Sequence, residues 1–408
     1  VLIKLSKINK IIPKHIVIAG SKSESNRLLV LQYLYENISI KNLSNADDVL
    51  LMKKALDSNQ NTIDVHHAGT TMRFLTAYFS IQQNKEIILT GSSRMKERPV
   101  GILVDVLRKL GAEIQYLEKE NYPPLQIKGK NLVGDTISLT ANVSSQYVSA
   151  LILIAPKLKN GLTITLKNNI TSKPYIKMSL ALLEKIGIQT SFIENTIQIE
   201  PFVPNNKNKN ITVESDWSSA SYFYSVVALS PVGTEITLSS FYQNSLQADS
   251  ILSEIYENFG VFTIFNDTNY ITLQKVKNPK TDFIKLNLSD SPDIAPTIAV
   301  TCFGLKISCE INGLHTLKIK ETDRLQALKN EIEKLGGTIK ITENSLLLES
   351  SQRILNSKII ATYQDHRMAM AFAPLALKTN IAIENSEVVS KSYPNFWNDL
   401  KTIGFSVE

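Results

Sequence analysis

Ile186-Gly-Ile-Gln-Thr-Ser-Phe-Ile-Glu-Asn-Thr-Ile-Gln-Ile-Glu200 reads as a helix end, a glycine, a strand, a two-residue turn and a second strand. Glycine just past a helix takes the left-handed conformation that closes the last turn. The apolar/polar alternation that follows is a strand signal, and Glu194-Asn195 between two such runs reads as a hairpin. The same passage recurs at Leu110-Gly111, Phe259-Gly260, Leu335-Gly336 and Ile403-Gly404, with the glycines 68 to 76 residues apart. Alternating strands follow at Ala112–Tyr116, Val261–Phe265, Gly337–Ile341 and Phe405–Val407. Second strands are predicted at Leu125–Lys128, Tyr270–Gln274 and Ser345–Glu349, with another hairpin turn at Glu343-Asn344. A further helix-to-strand passage, Leu51–Asp57 into Thr62–Val65, lacks the glycine. The count is six copies of one α/β unit, each too long to be a solenoid turn. The polar stretch Pro204–Asn210 is the expected boundary, and a split of three and three there gives two similar domains. Helix–glycine–strand also recurs in ordinary α/β proteins, so pattern alone leaves that alternative standing.

Composition sets the outer limits. At 408 residues the chain is too long for one ordinary core. A hydrophobic fraction of 43% and a charged fraction of 20% are those of a globular protein. No apolar run reaches the ~18 residues of a membrane span, and Val1–Lys7 lacks a secretory core and cleavage site. The two cysteines, Cys302 and Cys309, are too few for a disulfide scaffold or zinc cluster, so a cytoplasmic location is expected. The net charge of +6 is spread along the chain with no basic stripe, which argues against nucleic acid.

Arginine is scarce and clustered. Only eight of the 44 basic residues are Arg, and most lie in Gly20–Arg27, Ala68–Arg73, Arg94–Arg98, Lys320–Arg324 and Asp365–Arg367. Its planar fork binds carboxylate or phosphate with two parallel hydrogen bonds. Gly20-Ser-Lys-Ser-Glu-Ser-Asn-Arg27 leads into a helix at Leu28–Tyr35, where exposed N–H groups and the dipole favour an anion. Lys22, Ser23 and Arg27 are in reach of it, although the spacing is not that of a P-loop. Gly69 opens a helix at Thr71–Phe79 and lets a ligand approach the backbone. Arg94-Met-Lys-Glu-Arg-Pro99 precedes a helix at Val100–Leu110. Ser144-Ser-Gln146 precedes another at Tyr147–Ala155, and Asp290-Ser-Pro-Asp293 begins the apolar Ile294–Phe303. Lys320, Glu321 and Arg324 are expected within one helical turn. Asp365–Met370 adds a helix start and Ser390–Pro394 a lone basic loop. Taken singly, each has a plain competitor: a helix cap, a surface ion pair or a solvated charge. His66 and His67, adjacent on a strand, are expected to face opposite ways and to make poor joint metal ligands. Together the clusters place cations, hydroxyls and carboxylates at several helix starts, an arrangement suited to small, highly anionic ligands.

In order and spacing, these motifs resemble the 5-enolpyruvylshikimate-3-phosphate synthase (3-phosphoshikimate 1-carboxyvinyltransferase) family, from Gly20 to Pro394. The resemblance implies an α/β enolpyruvyl transferase fold of two similar domains, each of three βαβαββ units, an inside-out α/β barrel. The first domain would comprise 1–19 plus 214–408 and the second 20–213, with the active site in the cleft between them. It implies transfer of the enolpyruvyl group of phosphoenolpyruvate to the 5-hydroxyl of shikimate 3-phosphate, with release of phosphate through a tetrahedral intermediate. Carried over residue by residue, Lys22, Ser23, Arg27, Ser144, Ser145, Gln146, Ser172, Asp293 and Lys320 would bind shikimate 3-phosphate. Lys22, Gly69, Arg94, Gln146, Arg324, Arg367 and Lys391 would meet phosphoenolpyruvate. Asp293, Glu321 and Lys22 would carry the proton transfers, with no metal or organic cofactor, no nucleic acid or membrane partner, and a monomer as the expected state. Two positions depart from the family: His67 replaces the usual Asn before Ala-Gly-Thr, and Thr316 stands where some members have an Asn. The sister reaction on UDP-N-acetylglucosamine usually uses a loop Cys in the domain equivalent to residues 20–210, which contains none here. The RNA 3′-phosphate cyclase group shares the folding unit but should bind nucleotide, and this sequence offers no case for nucleotide chemistry. A plain anion receptor gains nothing from Asp293 and Glu321.

Overall fold

All five repeat glycines, Gly111, Gly187, Gly260, Gly336 and Gly404, have φ between 78° and 100°. At Gly111 the glycine N–H bonds Arg108 O at 2.9 Å and the next N–H bonds Leu107 O at 2.9 Å. This double closure ends a helix in the left-handed conformation, and it repeats at Gly187, Gly336 and Gly404. Each of the five glycines stands before an edge strand of a four-stranded sheet.

The computed structural model describes residues 1–140, 145–168, 170, 173–203 and 208–408. The chain divides into two compact units, Val1–Ala19 with Glu214–Glu408, and Gly20–Val213. Lys209–Thr212 is a strand of the second unit, pairing in parallel with Ile38–Lys41. The boundary expected over Pro204–Asn210 therefore overlaps a strand, and the division falls at Val213–Glu214.

In the Gly20–Val213 unit, Thr62–Asp64 and Glu86–Thr90 pair in parallel, and Leu125–Lys128 and Glu113–Tyr116 complete that sheet as an antiparallel hairpin. Thr136–Thr140, Leu162–Lys167, Thr196–Ile199 and Thr190–Ile193 repeat the plan. The hairpin register Ile193↔Thr196 leaves Glu194 and Asn195 as the turn. Thr62–Asp64 thus opens the next sheet and does not continue its own unit. Among the described residues, the copy without a glycine also lacks a hairpin, and its sheet has only the two strands Ile38–Lys41 and Lys209–Thr212. The other unit has three four-stranded sheets. One is built from both ends of the chain: Ile3–Ser6 pairs with Ile381–Ile383 on one side and Ser406–Val407 on the other. No sheet among the described residues closes on itself.

The crossover helices form the interior of each unit. Gly69–Ser80 is buried at every residue except Thr70, and Ala295–Leu305 at every residue except Leu305. Apart from Arg73 and Tyr78 in the first, both are apolar or small on all faces, so water has no side to occupy. Gly69–Ser80 packs on Ser145–Ile154 and on Lys22–Leu34, while Trp217–Leu229, Ala295–Leu305 and His366–Phe372 pack together in the other unit. Among the described residues, no helix is long and apolar enough to cross a membrane.

Candidate active site

In the Gly20–Val213 unit, polar residues gather at the starts of the three interior helices. Ser21 caps Lys22–Leu34, its Oγ accepting from Glu24 N at 3.4 Å. Lys22 is the first helical residue, and its Nζ lies 3.3 Å from Asp48 Oδ2. Ser145 and Gln146 open Ser145–Ile154, and Gln146 Nε2 donates to Thr70 Oγ1 at 3.2 Å, joining two helix starts. Arg27, one turn in, is buried: Nε donates to Ser179 Oγ at 2.7 Å, Nη1 to Ser23 O at 2.7 Å and Nη2 to Ser149 Oγ at 3.0 Å. Burial lowers its pKa to about 10, so it stays charged at neutral pH. Ser144 and Ser172 lie outside the described residues.

Gly69 has an arginine against its backbone. The place a side chain would take there is filled by the Arg98 guanidinium. Glycine at this position admits an arginine. Arg73 lies beneath, donating to Gly69 O at 3.1 Å and Pro99 O at 2.9 Å. Burial, followed by the Arg98 charge, lowers its pKa to about 10. Arg94 is 54% exposed in the short helix Ser93–Lys96 and pairs with Glu97 at 2.7 Å. The two histidines depart from expectation. The strand ends at Asp64, His66 takes φ of 47°, and the rings meet with Nδ1 atoms 2.5 Å apart.

The other unit brings six predicted residues into one ion network. Arg324, 2% exposed, binds three carboxylates: Asp293 Oδ1 at 2.8 Å, Glu321 Oε2 at 2.6 Å and Asp365 Oδ2 at 2.6 Å. Lys391 Nζ lies 2.7 Å from Glu321 Oε1. Lys320 Nζ is 3.4 Å from Asp293 Oδ1, and Arg367 Nη2 is 3.2 Å from Asp293 Oδ2. Two local readings are corrected. Lys320 and Glu321 precede the helix, which runs Arg324–Lys334 behind an Asp323 cap that accepts from Gln326 N. Lys391 is the buried end of the 3-10 turn Ser386–Lys391, so it is no loose loop cation.

Comparisons with known proteins bear on the family. The family model for EPSP synthase (3-phosphoshikimate 1-carboxyvinyltransferase) matches residues 54–400. A Bacteroides fragilis 3-phosphoshikimate 1-carboxyvinyltransferase is 44% identical over 406 residues, covering 96% of each chain. A Vibrio cholerae protein of the same name is 33% identical, covering 95% of this chain and 96% of its own. The chain belongs to the EPSP synthase family. A solved EPSP synthase from Acinetobacter baumannii shares the fold at TM-score 0.81 and 21% identity, covering 100% of this chain and 99% of that one. The enolpyruvyl transferase NikO from Streptomyces tendae does so at TM-score 0.75 and 14% identity, covering 100% and 98%.

The electrostatics of this EPSP synthase family member are uneven. Burial pushes the Asp293 carboxyl up, but Arg367, Lys320 and Arg324 outweigh it and hold it well below the usual range. Burial opposes the Arg324 charge, yet Asp365, Glu321 and Asp293 together raise its pKa. Cys302 and Cys309 are both buried, and burial raises the Cys302 thiol far from thiolate formation at neutral pH. Sequence reasoning left Asp48, Arg98 and Asp365 out of the site. Asp365 stood in a quoted motif, where its chain position announced a cap; it accepts from Arg367 N at 2.9 Å while also binding Arg324.

Proposed function

We propose that this chain catalyses enolpyruvyl transfer from phosphoenolpyruvate to the 5-hydroxyl of shikimate 3-phosphate, on the route to chorismate and the aromatic amino acids. The observation that carries the reading is the pairing of Asp293 and Glu321 with Lys320, Arg324, Arg367 and Lys391. An anion store needs the cations alone; proton transfer needs carboxylates among them. We assign Asp293 to the 5-hydroxyl proton, and Glu321 with Lys22 to protonation of the methylene carbon and return of that proton. Positioned acid–base groups each contribute on the order of 10²–10⁴ in rate. The apo network suggests how Asp293 gains basicity. Anionic substrates compete for Arg324, Arg367 and Lys320, and a carboxylate that loses cationic neighbours binds a proton more strongly.

Lys22, Ser23, Arg27, Ser144, Ser145, Gln146, Ser172, Asp293 and Lys320 are assigned to shikimate 3-phosphate. Lys22, Gly69, Arg94, Gln146, Arg324, Arg367 and Lys391 are assigned to phosphoenolpyruvate. Charge-assisted hydrogen bonds of this kind contribute about 1.5–3 kcal/mol each. We place the protein in the cytoplasm as a monomer.

The test is phosphate release from phosphoenolpyruvate with each candidate acceptor. Shikimate 3-phosphate should support turnover and UDP-N-acetylglucosamine should not; the reverse result would sink the assignment. Lys22→Met should weaken both substrates about tenfold or more, the factor that 1.4 kcal/mol gives. Titration calorimetry with unchanged affinities would remove Lys22 from the site. Gly69→Ala meets only the flexible end of Arg98. It should keep the melting temperature within ~3 °C and raise KM for phosphoenolpyruvate about tenfold. An unchanged KM would show that neither Gly69 nor Arg98 faces that substrate.

A further inference from the structure

One buried acid beside the network has no part in the mechanism above. Asp249, 3% exposed, lies in the 3-10 turn Ala248–Ile251. Its Oδ2 accepts from Ser218 Oγ, and its Oδ1 has no hydrogen-bond partner among the described residues. Ser218 Oγ in turn accepts from Arg367 Nη2 at 3.2 Å, and the same nitrogen reaches Asp293 Oδ2 at 3.2 Å. The Ala248–Ile251 turn is also tied to the 3-10 turn Pro292–Ile294, which carries Asp293, because the side chain of Ser291 donates from Oγ to Ala248 O at 3.0 Å. Asp249 is not needed as a helix cap: Asp216 fills that place on Trp217–Leu229, accepting from Ser219 N at 2.7 Å. A half-satisfied buried carboxyl group costs stability unless something else selects for it.

We propose that Asp249 is a positioning residue, acting through Ser218 to hold the Arg367 guanidinium against Asp293. This deepens the enolpyruvyl-transfer reading and rests on it. The ionised carboxylate accepts the hydrogen bond from the Ser218 hydroxyl, which leaves the Ser218 lone pairs for Arg367. A protonated Asp249 donates to Ser218 instead and turns the hydroxyl proton toward the guanidinium. The groups facing Asp249 are Ser218 and Asp216 at one helix start, Asp293 on its turn and Arg367 on the third helix. Burial, only partly offset by Arg367, raises Asp249 to about 6, so this ionisation falls within the working range of an enzyme assay.

The experiment is steady-state kinetics on the full chain with both substrates. Asp249→Ala and Ser218→Ala should each raise KM for phosphoenolpyruvate about tenfold and leave KM for shikimate 3-phosphate within about twofold. The double variant should lose no more than either single one, as for residues acting in series. Asp249→Asn should keep affinity near neutral pH but flatten the acid limb of kcat/KM. Unchanged KM in Asp249→Ala, additive losses in the double variant, or a retained acid limb in Asp249→Asn would overturn the proposal. A crystal structure of Asp249→Ala tests it without turnover. The Arg367–Asp293 contact should open past ~3.5 Å, the limit of a hydrogen bond; a contact kept at its native length would overturn it. Wild-type protein inactive on both substrates would count against the enolpyruvyl reading alone.

Discussion

Arg324→Met is expected to destabilise the unit that carries the ion network by about 3–5 kcal/mol at pH 7, the cost of stripping the partner from a buried pair. Arg324 holds Asp293, Glu321 and Asp365 at once, with all three contacts at 2.8 Å or less. Methionine fills similar space but leaves those carboxylates short of a cation. Both tryptophans, Trp217 and Trp397, belong to this unit, so their fluorescence in urea reports its unfolding. The loss should shrink toward acid. In the native protein Asp293 is held well below its ordinary value. Its stabilisation is therefore complete above about pH 4, the unfolded value, and is lost as pH falls through the folded value. In the variant the same carboxylates have less counter-charge and gain by taking up protons. The two stability curves should approach each other below about pH 4. A variant within ~1 kcal/mol of wild type at pH 7 would show that the network contributes little to holding the fold.

Asp293→Ala and Glu321→Ala should each lower kcat by about 10²–10⁴ with substrate affinities changed far less. Removing either carboxylate frees cations: Asp293 occupies Lys320, Arg324 and Arg367, and Glu321 occupies Arg324 and Lys391. Affinity for an anionic substrate should therefore hold or rise while turnover collapses. That split separates proton handling from binding, because loss of a binding group raises KM first. Near-native kcat in either variant would remove that residue from the proton-transfer role.

The repeat was legible because glycine past a helix end is a local signal. Gly111, Gly187, Gly260, Gly336 and Gly404 each announce a chain reversal whatever lies around them. Where the signal fails, at Leu51–Asp57, the described residues form no hairpin and the next strand belongs to another sheet. Much of the site was legible for a similar reason, since Lys22, Gln146 and Arg367 stand in the first turns of interior helices. The hidden part is the pairing. Lys391 and Glu321 are 70 positions apart, and Arg324 and Asp365 are 41 apart. Nothing local marks Asp48, Asp249 or Ser218 as partners. Arg98 was visible as a charge, but its place over Gly69 depends on the packing of two helices.

One strand arrangement bears on how the protein is made. Among the described residues, the strands of the Gly20–Val213 unit pair within its own continuous stretch of chain. The other unit needs Ile3–Ser6 to meet Ser406–Val407, with Lys4 N–H bonding Glu408 O at 2.8 Å. On the ribosome, the inner stretch can therefore finish its core while the first strand waits unpaired, and the carboxylate-bearing half is sealed only when the last strand is delivered.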